Sequence, residues 1–103
     1  MQLDPPVPLT AVWFGLPPNT IIITFNHPLN AGALDPANWS AVHALFKHTC
    51  ATAIAAGNTV TLTMVQGAPT LDPNNVTYAP PPHDVTAGPR AVPAAAFATF
   101  PLT

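Results

Sequence analysis

The stretch from Ala55 to Met64 constrains this chain more than any other. Val60, Leu62 and Met64 alternate there with Thr59, Thr61 and Thr63. A period of two belongs to a β-strand, in which the three apolar side chains share one face and the three threonines the other. Gly57 and Asn58 stand immediately upstream. This pair tolerates the positive φ angles of a tight hairpin turn. A hairpin needs a partner strand, so residues 49–56 must be extended as well. The stretch therefore predicts two antiparallel strands, the second with one dry face and one wet face.

The remaining bounds come from charge and length. The 103 residues make one domain with a single core. Apolar residues are 49% of the chain, too many for a disordered composition despite 15 prolines. Only Lys47, Arg90, Asp4, Asp35, Asp72 and Asp84 carry formal charge, 6% of residues, where soluble domains average roughly 25%. A net charge of −2 with two cations cannot neutralise a row of phosphates, which argues against nucleic-acid binding. A lone Cys50 forms no internal disulfide. The opening residues carry neither a basic stretch nor an apolar one, so no secretory signal is expected. No apolar run approaches the ~18 residues of a membrane-spanning helix, and no membrane insertion is expected. The sequon patterns at Asn38 and Asn75 are read as chance matches.

Taken in order, residues 1–8 are a proline-rich extended arm, and the sandwich domain occupies 9–103. Residues 9–14 form a first strand with Leu9, Ala11 and Trp13 on one face. Residues 15–19 are a turn by composition. Residues 20–25 are the strongest β-branched run, with Ile21, Ile23 and Phe25 facing one way and Thr20, Ile22 and Thr24 the other. Asp35 followed by Pro36 is a helix start. Trp39, Val42, Phe46, Cys50 and Ala53 then fall near helical spacing, so 36–55 also admits a helix. The downstream hairpin decides for one helical turn at 35–38 and strands near 39–46 and 49–56. A loop over 66–75, a short strand over 76–79, a second loop over 83–90 and a final strand over 91–100 complete the chain. Pro93 inside that last strand requires an edge or a bulge. Seven short strands at this spacing indicate an all-β sandwich.

The order of the pieces resembles a bacterial immunoglobulin-like module of the kind repeated in surface and adhesin-like proteins. The residues carrying the resemblance are 20–29, 34–39, 57–64, 76–78 and 85–92 with Phe97. Where that family usually reads Ala-Gly-Asn, this chain has Ala87 and Gly88 followed by Pro89 and Arg90. The resemblance implies a Greek-key sandwich and no chemistry. As a solitary module it is also similar to the decoration and accessory proteins of tailed-phage virions. That similarity implies a place on a virion surface, with an extracellular or cell-surface location as the alternative.

Candidate chemistry is sparse. His43, His48 and Cys50 are the one cluster of metal-capable residues, with only remote His27 or His83 to complete a set of four ligands. Coincidence is the preferred reading, with Cys50 a small packing residue. The four aspartates sit in turn contexts and include no close pair, and there is no glutamate, which disfavours a two-carboxylate glycosidase. A calcium site on the loops of Asp72 or Asp84 lacks the dense ligand spacing that calcium prefers. Ser40 is the only serine and has no nucleophile motif around it. Trp13, Trp39 and Tyr78 would form a sugar-stacking platform if exposed, although their positions favour core packing. No catalytic, cofactor or metal residue is assigned, and no enzymatic activity is expected. The expected role is structural: a multi-copy or homo-oligomeric module that binds protein subunits of a capsid or surface layer. Its terminal segments and proline loops are expected to be contact surfaces ordered by neighbouring subunits. The alternative is an adhesion module that binds a glycan through Trp13 or Trp39.

Overall fold

A computed structural model describes residues 5–15, 19–43, 46–65, 73–80 and 84–103 of the chain. In chain order its strands are β1 (Pro8–Phe14), β2 (Thr20–Phe25), β3 (Gly32–Leu34), β4 (Trp39–His43) and β5 (Phe46–Ala56). They continue with β6 (Thr59–Met64), β7 (Asn75–Tyr78), β8 (Thr86–Ala87), β9 (Val92–Pro93) and β10 (Phe97–Pro101). A 3-10 turn, Pro36–Asn38, precedes β4. The main sheet runs β1-β2-β6-β5-β4-β7-β10, with β3 attached to β5. The layers β1-β2-β6-β5 and β4-β7-β10 reproduce the strand order of a seven-stranded immunoglobulin-like Greek key.

One strand joins the layers. The first part of β5 pairs with β4, from His43 opposite Phe46 to Ser40 opposite Thr49. Its second part pairs with β6, ending with Ala56 opposite Thr59, and carries a register shift between Cys50 and Thr52. The helix admitted over 36–55 is absent, because both sides of β5 are occupied by strand partners. The two strands anticipated at 39–46 and 49–56 are present as β4, which ends at His43, and β5, which begins earlier than expected at Phe46 and runs unbroken to Ala56.

The sheet also curls back on itself. Thr103 N–H donates to Ala11 O (2.9 Å) and Trp13 N–H donates to Thr103 O (3.1 Å). One residue bonded to both neighbours of Val12 is the pattern of a parallel pair. The last strand thus returns to the first, and the sandwich closes nearly into a barrel.

The period-two pattern carries into the core as expected. Ile21, Ile23 and Phe25 pack with Val60, Leu62, Met64 and Tyr78, all essentially without solvent contact. Trp39, Ala41, Ala53, Ala55 and Val76 complete the centre.

Several local expectations are corrected. Leu9 does not face the core and is 58% exposed. Pro8 pairs with Phe25 and Thr10 with Thr24, so Leu9 is the extra residue of a bulge, which breaks the alternation there. Pro8 itself belongs to β1, and Pro6 is among the fully buried residues. The final strand over 91–100 is in fact two strands. Pro93 lies in β9, which pairs only with β8, and β10 begins at Phe97. Gly88 and Ala91 close the β8–β9 connection, with Ala91 N–H donating to Gly88 O at 3.0 Å. At the central hairpin Gly57 takes φ +58° while Asn58 is not among the positive-φ residues. Glycine at the first central position suits a type II′ turn rather than one with two left-handed residues.

Candidate interaction surface

Two of the aspartates, Asp35 and Asp84, come together in a way no local pattern announces. Asp84 Oδ2 accepts from the Asp35 N–H at 2.6 Å, and its Oδ1 accepts from the Tyr78 hydroxyl (3.2 Å) and Asn38 Nδ2 (3.4 Å). The same hydroxyl accepts from the N–H groups of Asp84 (3.2 Å) and Val85 (3.3 Å). Asp35 caps the 3-10 turn as expected, its Oδ1 accepting from Ala37 N–H at 2.9 Å. Although 49 residues separate them in sequence, Asp84 grips the main chain at Asp35. Both carboxylates are engaged by donors, so the node fastens the 3-10 turn to the end of β7. Burial, the largest cause, raises the Tyr78 pKa, and the Asp84 charge adds to it.

The side chain of His43 lies outside the described residues, as do Asp72 and His83. Among the described residues no three His, Cys, Asp or Glu side chains gather into a group that would hold a metal ion. His48 is buried, with its ring centroid 5.6 Å from that of Trp13. The Cys50 thiol donates to Thr52 O at 3.0 Å and packs at the edge of the core. Burial, the largest cause, pushes its pKa up to about 11, partly offset by the Thr52 main chain. A thiol so protonated is a poor nucleophile at neutral pH.

The aromatic residues are mostly interior. Trp39 is 3% exposed and stacks on Tyr78 with centroids 4.6 Å apart. Phe97 fills the space beside them, 5.7 Å from Tyr78 and 6.1 Å from Trp39. A sugar-stacking platform through Trp39 and Tyr78 is thereby closed. Trp13 is half-buried against the core.

What remains at the surface is apolar side chain and sheet edge. Among the described residues, Val7, Leu9, Phe14, Ile54 and Val65 are the large hydrophobic ones that stay exposed. The edges are blunted without lysine. On β1 the bulge at Leu9, Pro8 and the bonds to Thr103 interrupt the open side. On β10 a register shift lies between Phe97 and Phe100, with Thr99 at φ +53° and Pro101 at the end. β3 is only three residues long. The segments 5–8 and 97–103 are therefore held by this domain's own core, through buried Pro6, partly buried Phe100 and Leu102, and Thr103 on β1. Their expected ordering by neighbouring subunits is corrected accordingly. Among the described residues no helix is long and apolar enough to cross a membrane.

The fold and surface define an all-β sandwich of immunoglobulin-like strand order. Comparison of the chain with protein-family models, with curated proteins and with solved structures finds no match.

Proposed function

We propose that this chain is a non-enzymatic structural module that works by contact, seated among protein subunits of a larger assembly such as a virion exterior. The observation that carries the reading is the imbalance of its surface. Large apolar side chains on β1, β5 and the residue after β6 stay exposed, while the whole chain has a net charge of only −2. An isolated soluble domain normally keeps such side chains few and its charges many. The engagement of Asp84, Asp35 and Tyr78 in holding loops together supports the same reading, since these polar side chains serve the fold.

Native mass spectrometry of the chain, isolated from its source under non-denaturing conditions, tests this. Multiple copies held in one high-mass particle are expected. Retention of those copies at ~1 M salt, where the Debye length is about 3 Å, is expected as well. A chain that runs free and binds a glycan, with binding lost in Trp13→Ala, would establish the adhesion module instead.

A further inference from the structure

We propose that the outer face of the β1-β2-β6-β5 sheet is where two copies of this chain pack face to face. Strand register builds a regular surface there. Val12 lies opposite Ile22, Ile22 opposite Thr61, and Thr61 opposite Ile54, so these four side chains form one row across the sheet. The flanking rows run through Thr20 and Thr63 on one side and Thr24 and Thr59 on the other. The β2–β6 pairing has no register shift, and the burial alternation on both strands leaves these residues outward. Phe14 and Ile54, two of the exposed large hydrophobic residues, stand on this face.

Among the described residues, charge placement leaves the face neutral. Lys47 lies in the part of β5 that pairs with β4, and Arg90 lies in the turn after β8. Asp35 and Asp84 are tied together near the 3-10 turn. A charged partner would have its ions desolvated against this face without a counter-charge, and a purely apolar one would strand the threonine hydroxyls. A second copy does neither. Each hydroxyl both donates and accepts, and Val and Ile from the two faces interdigitate as in any pair of packed sheets. Edge pairing is the less available route, because bulges, prolines and Thr103 interrupt the edges described above.

Area sets the strength. Four strands about 4.8 Å apart, each contributing five residues at about 3.4 Å, make a face of roughly 20 by 17 Å. With side-chain relief, two copies would bury on the order of 1,000 Å², the lower end for a specific interface. A dimer on a face of this size is weak and reversible. This inference rests on the contact reading above only for the premise that the module acts by docking.

Sedimentation velocity of the purified chain from micromolar to about millimolar concentration decides it. The expected result is a monomer–dimer equilibrium unchanged between low and high salt, weakened at least tenfold by Ile54→Lys and by Thr61→Lys. A urea midpoint for each variant separates loss of contact from loss of fold. Methyl contacts of Ile22 and Ile54 between differently labelled copies of the wild-type chain provide a readout that needs no variant. A wild-type chain that stays monomeric throughout would overturn the dimer yet leave docking on a foreign assembly intact. Self-association that survives both lysine variants would overturn the assignment of the face alone.

Discussion

The hydroxyl of Tyr78 lies 3.2 Å from a carboxylate oxygen of Asp84 and also receives the N–H of Val85 at 3.3 Å. One side chain at the end of β7 thereby satisfies the main chain that leads into β8. Replacing it by phenylalanine keeps the stacking on Trp39 but leaves the buried Val85 N–H without this acceptor. Tyr78→Phe should cost about 1–3 kcal/mol, read as a lower urea midpoint with an unchanged m-value.

The two aspartates should differ in weight. Asp35→Ala removes a cap from a single short turn and should cost about 1 kcal/mol. Asp84→Ala removes acceptors from the Asp35 N–H, the Tyr78 hydroxyl and Asn38, and should cost about 2–3 kcal/mol. Thermal melts of the two variants at neutral pH check the order. Equal losses would show that the Asp84 links contribute nothing beyond a cap.

Alkaline pH should loosen the fold in a predictable direction. The Cys50 thiol has a folded pKa of about 11 against an ordinary 9.0, through burial. The unfolded chain ionises first, so this contribution is complete below pH 9.0 and is lost as pH rises toward 11. Tyr78, also raised by burial, acts with the same sign above its ordinary 10.0. Urea midpoints measured between pH ~8 and ~11 should fall, and Cys50→Ala should remove the earlier part of the decline. Alkylation of the folded protein near pH ~8 should be about a hundredfold slower than of the unfolded chain.

Backbone sign offers a paired test. Gly57 has φ +58° with open space where a Cβ would stand, so Gly57→Ala isolates the positive-φ penalty and should cost at least about 1 kcal/mol. Ala91, exposed and at φ +50°, already bears that penalty. Ala91→Gly should therefore be stabilising by up to ~1 kcal/mol, by the reverse argument. Thermal melts that move in the same direction for both variants would contradict it.

Residues 20–25 and 59–64 needed nothing beyond their own alternation to declare strand and buried face, because a period of two is a property of each strand alone. Asp35 before Pro36 announced its turn for the same local reason. Tertiary structure decided what alternation cannot carry. The bulge at Leu9 depends on how β1 meets Phe25 and Thr24, and β5 starts at Phe46 rather than at residue 49 because β4 and β6 claim its successive parts. Pro93 ended in a separate hairpin with β8, since its ring supplies no N–H for the main sheet. The Asp84–Asp35 link and the return of Thr103 to β1 join residues 49 and about 90 positions apart, with no periodic signal between them. Local pattern thus determined which side chains of β2 and β6 are inside, and long-range pairing determined which strands are neighbours and where, as at Leu9, the alternation breaks.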